Sequence, residues 1–232
     1  MKTLVFLMLF AGSLAKVLAA DAVVYSGLSL DSLRGANAWQ GAGDVSLCKT
    51  NDHLFTIGEG KGIIVNGPLG KSVDLLTKEE FGDCEVHVEF CITKHSNSGV
   101  YLMGRYEVQI YDSFGVEKDK YPGIECGGIY PRYDSKRHEY EGHSPRVNAS
   151  KPPGEWQTFD ITFRAPRFDA DGKKIENAKI VKVVHNGTVV HENIELTGPT
   201  RGGYEPEKPA GPLRLQGDHG PVAFRVISIK PL

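Results

Sequence analysis

The chain has 232 residues, 40% of them hydrophobic and 24% charged, and its 27 basic and 29 acidic side chains leave a net charge of −2. This length suits one all-β domain with a sizeable core. Because no basic cluster stands out, nucleic acid and an anionic membrane surface are disfavoured as partners.

The first twenty residues have the pattern of a secretory signal peptide. Lys2 gives a positive start, residues 4–14 are almost wholly apolar, and residues 17–20 offer small side chains at a cleavage site. The apolar run is too short to span a bilayer, and no second run of membrane length follows. We therefore expect a secreted or periplasmic protein whose mature domain covers residues 21–232.

Short strand patterns with turn signals fill the rest of the chain. Asn186-Gly187 between two apolar runs is a strong hairpin signal, and residues 75–81 could form at most one short helical turn. These features predict an all-β, single-domain fold, a two-sheet antiparallel β-sandwich. Period-two placement predicts these core residues: Val86, Val88, Phe90, Val108, Ile110, Ile161, Phe163 and Phe224.

The cysteines Cys48, Cys84, Cys91 and Cys126 leave their redox state open. Cys84 and Cys91 belong to one predicted strand, about 23 Å apart, so they cannot pair with each other. If all four pair, the connectivity is 48–84 with 91–126, or 48–91 with 84–126. Four buried free thiols are equally compatible with the sequence. A zinc site is a weakly supported hypothesis, because no two of the cysteines form a CxxC pair.

The pattern of the segment Asn97–Asp112 predicts two short strands with polar groups on one face. Side chains alternate across a strand, so Glu107, Gln109 and Tyr111 share one face at a spacing of about 7 Å. A carboxylate, an amide and a phenol in a row could bind a sugar and move a proton on it. A half-solvated strand of an antiparallel sheet is the plainer alternative.

Three further segments bear on function. The irregular region Ser113–Pro153 is long enough to be a functional loop over the polar row. The segment Gly198–Pro212 is rich in proline, glycine and charge, and we expect a surface lobe there. In Gly217-Asp218-His219-Gly220, flanking glycines allow a tight turn that leaves the imidazole accessible, and histidine is suited to proton transfer near neutral pH.

Six segments in order resemble the 3-keto-disaccharide hydrolase domain family across nearly the whole mature chain. The segments that carry the resemblance are Leu75–Asp83 with Val88–Phe90, Asn97–Tyr101, Tyr106–Ile110 with Asp112-Ser113, Gly127–Tyr130, Gly154–Trp156, and His185–Gly187 with Leu215–Gly220. The resemblance implies a concanavalin-like jelly roll similar to laminarinase-like glycosidases. Those enzymes carry a Glu-x-Asp-x-Glu row, whereas this chain has Glu107-Val-Gln-Ile-Tyr111, with one carboxylate.

The resemblance also implies an activity, the cleavage of 3-keto-glycosides by C2 proton abstraction, elimination and hydration. Glu107 and His219 are the expected catalytic residues. The expected substrate-binding residues are Asn97, Arg105, Gln109, Tyr111 and Gln216. We expect Glu107, partly buried under the loop Ser113–Pro153, to have a raised pKa.

The sequence gives less information on cofactors and partners. No cofactor is assigned; jelly rolls often hold a structural divalent cation, but no ligand-dense loop commits this chain to one. A separate sugar 3-dehydrogenase is expected to supply the keto substrate. Two alternatives stay open: a non-catalytic carbohydrate-binding module, or an ordinary retaining glycosidase, which would need a second acid within about 5.5 Å of Glu107.

Overall fold

A computed structural model describes residues 23–24, 30–117 and 123–232. The predicted signal peptide lies outside the described residues, so export stays a prediction. Within the described part, none of the helices has the length and apolar character needed to cross a membrane.

The described chain consists of β-strands and two single-turn 3-10 helices, Leu30–Ser32 and Ala36–Ala38. The strands are β1 (Val23–Val24), β2 (Leu33–Arg34), β3 (Gln40–Cys48), β4 (Asn51–Val65), β5 (Leu75–Thr77), β6 (Cys84–Ile92), β7 (Asn97–Leu102), β8 (Tyr106–Tyr111), β9 (Arg132–Asp134), β10 (His138–Tyr140), β11 (Gln157–Arg164), β12 (Arg167–Phe168), β13 (Lys174–Glu176), β14 (Ala178–His185), β15 (Thr188–Leu196), β16 (Arg214–Leu215) and β17 (Val222–Pro231).

Two antiparallel sheets form the predicted β-sandwich. The larger follows the order β15-β14-β11-β6-β17-β4-β3, with β1 also paired to β17, and the smaller follows β2-β5-β16-β7-β8. Residues 75–77 form the strand β5 rather than a helical turn, because Leu75 and Leu76 pair with β16. The Asn186-Gly187 turn joins β14 to β15 as predicted, and both residues have positive φ, 50° and 80°.

The main core lies between the sheets and confirms the predicted inward face. All eight predicted core residues are at most 2% exposed, and Phe90 and Phe159 pack with ring centroids 4.8 Å apart. Tyr106, Val108 and Ile110 of β8 belong to this core. The opposite face of β8 is therefore directed away from the core, where it can build a site.

The four cysteines are free. Burial raises the pKa of Cys84, Cys91 and Cys126 to about 12, so these thiols stay protonated and unreactive near neutral pH. Cys48 is partly exposed, and a hydrogen bond with the Thr50 hydroxyl, 3.4 Å away, lowers its pKa.

We expect only Cys48 to react with an aromatic disulfide reagent in the native protein, because thiolate character and exposure control cysteine reactivity. In denaturant all four cysteines should react. Reductant should leave the melting temperature unchanged. A denatured, unreduced protein with fewer than four reactive thiols would contradict this assignment.

Candidate functional site

Strands β7 and β8 present their outward faces to a cavity of about 260 Å³. Cross-strand pairing places Tyr101 opposite Glu107 and Gly99 opposite Gln109, so these side chains share one face. The cavity is lined by Asn97, Tyr101, Glu107, Tyr130, Arg201, Gly202, Gln216 and His219. The structure thus brings together four of the predicted site residues: Asn97, Glu107, Gln216 and His219.

Glu107 lines this cavity and is 2% exposed. Desolvation raises its pKa from the ordinary 4.5 to about 8, against the opposing effects of a hydrogen bond with Tyr101 and the charge of Arg214. Its Oε2 atom is buried and has no hydrogen-bond partner among the described residues. The carboxyl group therefore has one oxygen held by the protein and one that lacks a hydrogen-bond partner, which is unusual for a buried polar atom.

Gly99 makes room for the Glu107 carboxyl group. A Cβ atom on Gly99 would lie 2.1 Å from Glu107 Oε1, which is far inside van der Waals contact. Gly99 lies within β7 with no positive φ, so space rather than backbone conformation requires a glycine here. The glycine of the Asn97-Ser-Gly segment thus admits the carboxyl group.

Gln109 lies behind the cavity and holds its neighbours in place. Its side chain is fully buried, and one end of its amide group lies 3.3 Å from Asn97 Oδ1. In the amide orientation that best satisfies the surrounding groups, Nε2 donates to Glu107 Oε1 at 3.0 Å and to the Ser98 carbonyl at 2.8 Å. Gln109 therefore positions Glu107. It does not line the cavity, whereas the sequence analysis expected it to bind substrate.

A buried cation lies beside the carboxyl group. Arg214 is 5% exposed, and its guanidinium lies 3.7 Å from the Tyr101 ring centroid and 4.7 Å from that of Tyr204. It donates to the Gly202 carbonyl at 2.8 Å and lies 3.5 Å from Asp74 Oδ2. Its positive charge favours the ionised form of Glu107.

His219 also lines the cavity. Its Nδ1 lies 2.5 Å from Asp218 Oδ1 and 3.2 Å from Gln216 Nε2. The closer carboxylate favours Nδ1 as a donor to Asp218, which leaves Nε2 for exchange of a proton with a ligand. The Gln216 Oε1 atom is buried and has no partner in the described part of the chain.

The described part of the predicted loop Ser113–Pro153 pairs with the edge of the smaller sheet. The Gly127 and Tyr130 amides donate to the carbonyls of Gln109 and Glu107 at 2.8 and 3.1 Å, so this part of the loop continues the sheet beyond β8. Tyr130 consequently reaches the cavity, where burial and the Glu107 charge raise its pKa.

The segment Gly198–Pro212 is more than the expected surface lobe, because Arg201 and Gly202 form one wall of the cavity. The Thr200 hydroxyl donates to the Arg105 carbonyl at 3.1 Å and accepts from the Glu107 amide at 3.2 Å. Arg201 also donates to Glu139 at 2.8 Å, which links this wall to the hairpin β9–β10.

Two further predicted site residues, besides Gln109, lie outside the cavity. Arg105 does not share the cavity: its guanidinium donates to the carbonyls of Pro206, at 2.9 and 3.1 Å, and Met103, at 2.7 Å. It follows the Gly104 turn, so the alternation of β8 does not govern its direction, and it anchors the segment Gly198–Pro212. Tyr111 also lies outside the cavity and packs against the edge of the main core.

A metal site receives no support from the described residues. They contain no group of three or more histidine, cysteine, aspartate or glutamate side chains arranged to hold a metal ion.

The raised pKa of Glu107 predicts a pH-dependent stability. The folded protein holds this proton up to about pH 8, whereas the unfolded chain loses it near pH 4.5, so stability falls as pH rises between these values. We expect the wild type to lose about 3 kcal/mol relative to Glu107→Gln between pH 5 and pH 8.

Denaturant titrations of both proteins at several pH values measure this difference. His185 and His191, whose pKa values burial lowers to about 4, titrate in both proteins and cancel. A stability difference that does not change with pH would show that Glu107 is ionised in the folded protein.

Comparison with known proteins agrees with this architecture. A family model described as the 3-keto-alpha-glucoside-1,2-lyase-like domain matches residues 31–230. A solved structure of a proposed glycosyl hydrolase from Parabacteroides distasonis is 25% identical, covers 95% of each chain and superposes with a TM-score of 0.60. A second from the same organism is 20% identical, with a TM-score of 0.57 and coverage of 92% of this chain and 100% of the other. No curated protein matches the chain.

Proposed function

Because the chain belongs to the 3-keto-alpha-glucoside-1,2-lyase-like domain family, we propose that it cleaves the glycosidic bond of 3-keto-glycosides by elimination followed by hydration. The observation that carries this proposal is a single buried carboxyl group, Glu107, in a small polar cavity that the histidine His219 also lines. The family and the fold support a carbohydrate-cleaving enzyme. The keto substrate and the reaction steps are our proposal.

The ketone determines the chemistry. A carbonyl at C3 acidifies the C2 hydrogen, and a base that takes this proton leaves an enolate with its charge on the C3 oxygen. The enolate collapses to an enone as the C1–O bond breaks, and the departing oxygen takes a proton from an acid. Water then adds, with hydroxide at C1 and a proton returned to C2, so that the net reaction is hydrolysis.

The cavity supplies a group for each step. Ionised Glu107 takes the C2 proton, exchanges it with solvent, and then delivers a proton to C2 during hydration. His219 in its imidazolium form, with Nδ1 donating to Asp218, gives its Nε2 proton to the leaving oxygen and regains a proton from the water that adds at C1. Tyr130 and Arg201 provide donors for the enolate oxygen, and Gln216 and Asn97 bind ring hydroxyls.

An ordinary two-carboxylate glycosidase fits this site less well. Among the described residues that line the cavity, Glu107 is the one carboxylate. A retaining glycosidase would need a second carboxyl group about 5–5.5 Å away, and an inverting one would need it about 6.5–9.5 Å away, both facing the sugar. Proton abstraction next to a ketone needs one carboxylate and one acid, which is what the cavity holds.

Incubation with a 3-keto-glucoside and with the same unoxidised glucoside tests the proposal. We expect release of the leaving group from the keto substrate alone, because the C2 hydrogen is acidic only next to the ketone. In deuterated water the product should carry deuterium at C2. Equal cleavage of both glucosides would reject the keto-dependent chemistry.

Two further elements complete the proposal. The N-terminal pattern leads us to propose an exported protein. Because the substrate must first be oxidised at C3, we also propose that a separate sugar 3-dehydrogenase supplies it. Detection of the chain in an extracellular or periplasmic fraction would test the first point.

A further inference from the structure

We propose that the groove beside the catalytic cavity, which Asp218 and Tyr204 line, binds the leaving group of the substrate as a second sugar ring. This flanking groove has a volume of about 870 Å³, and its walls include Lys71, Val73, Asp74, Tyr204 and Asp218. The inference rests on the proposed function and adds the place where the departing part of the substrate lies.

The catalytic cavity is too small to hold both rings of a disaccharide. The catalytic cavity holds about 260 Å³, which is below the range of about 300–1,000 Å³ typical of pockets for larger ligands. One sugar ring that reaches Glu107 and His219 would occupy it. The second ring of a disaccharide must therefore project into a neighbouring space.

The position of the acid selects the side on which that space lies. The group that protonates the leaving oxygen must come within hydrogen-bond distance of it. His219 lines the catalytic cavity, whereas the preceding residue Asp218, bonded to it, lines the flanking groove. A leaving group whose oxygen meets His219 therefore points towards this groove.

The groove offers an aromatic platform that is already held in place. Tyr204 is 39% exposed, its amide donates to the Gly104 carbonyl at 3.0 Å, and its ring packs on Gly104, where a Cβ atom would lie 2.6 Å away. Arg214 lies between the Tyr204 and Tyr101 rings, and it connects the platform to the catalytic cavity.

Apolar and charged groups face this platform. Val73 is 59% exposed, and Lys71 and Asp74 add a donor and an acceptor to the same groove. An aromatic ring with an exposed apolar side chain and a few polar groups is the composition that binds the apolar faces and hydroxyl edges of a sugar.

Leaving-group dependence tests the assignment. We would compare kcat/KM for 3-keto-trehalose, whose leaving group is a sugar, with that for methyl 3-keto-glucoside, whose leaving group is a methoxyl. The ratio of the two values removes any general loss of catalysis. We expect Tyr204→Ala to lower this ratio about tenfold, Tyr204→Phe to keep it, and Val73→Arg, which narrows the groove, to lower it as well.

Tyr133→Ala is the matched control, because Tyr133 is 48% exposed and packs against Arg201 outside the groove. An unchanged ratio in both Tyr204→Ala and Val73→Arg would overturn the assignment. A reduced ratio in Tyr133→Ala alone would overturn it too, because it places the leaving group at the Arg201 side. No turnover of either keto substrate by the wild type would refute the proposed function itself, and the groove assignment with it.

Discussion

Replacing Glu107 with glutamine is expected to lower kcat for a 3-keto-glucoside at least about 100-fold, the scale of general acid–base catalysis. The substitution keeps the shape of the side chain and removes its ability to accept a proton. Because the groups expected to bind the sugar, Asn97 and Gln216, are unchanged, substrate should still bind. Loss of deuterium incorporation at C2 should accompany the loss of turnover.

The pH profile distinguishes a base from a residue that only binds. A base must be ionised, and burial raises the pKa of Glu107 to about 8. We therefore expect kcat/KM of the wild type to rise with pH towards that value and the residual activity of Glu107→Gln to lack this limb. Over the same range the stability contributed by the protonated carboxyl group is lost, so catalysis and stability depend on opposite states of one residue.

Glu125→Gln provides the matched control. Glu125 is also buried, at 4% exposure, but it is bonded to Ser144 and does not line the cavity. It should retain most of the activity. Wild-type turnover in Glu107→Gln, or an equal loss in both variants, would reject Glu107 as the base.

The fold could be predicted from the sequence because strand alternation and turn signals depend on residues that are close together in the chain. Alternation in segments such as 85–90 and 159–163 determines which face is buried, and residues such as Phe90 and Phe163 are indeed fully buried. The Asn186-Gly187 turn was equally local, because its backbone conformation depends on those two residues.

Strand alternation was sufficient to place Asn97 and Glu107 on one face, but it did not show which other side chains reach the cavity. Tyr101 could have been found, since it shares the face of Asn97 and lies opposite Glu107. Arg201 could not, because the path of its loop is set by tertiary contacts. Arg105 was expected at the site from the resemblance, but it follows the turn at Met103-Gly104, with both φ values positive, and its guanidinium binds the carbonyls of Pro206 and Met103 instead.

The second large effect is expected from Gly99→Ala, although the added group is one methyl. The new Cβ atom would lie 2.1 Å from Glu107 Oε1, and the pairing of β7 with β8 holds the backbone. The carboxyl group must therefore move. A displacement of about 1 Å at a catalytic group can cost about 100-fold in rate, and we expect kcat for a 3-keto-glucoside to fall on that scale.

A double-mutant cycle separates this effect from a general loss of structure. If Gly99→Ala acts by displacing the base, it should add little to the loss already caused by Glu107→Gln, whereas independent effects would multiply. Circular dichroism and the unfolding midpoint would show that the fold persists. Gly99→Ala with near wild-type turnover, or a full additional loss in the Glu107→Gln background, would mean that the position of Glu107 over Gly99 is not what catalysis requires. The expected non-additivity follows from the geometry of the site, in which β7 supplies the space and β8 the carboxyl group.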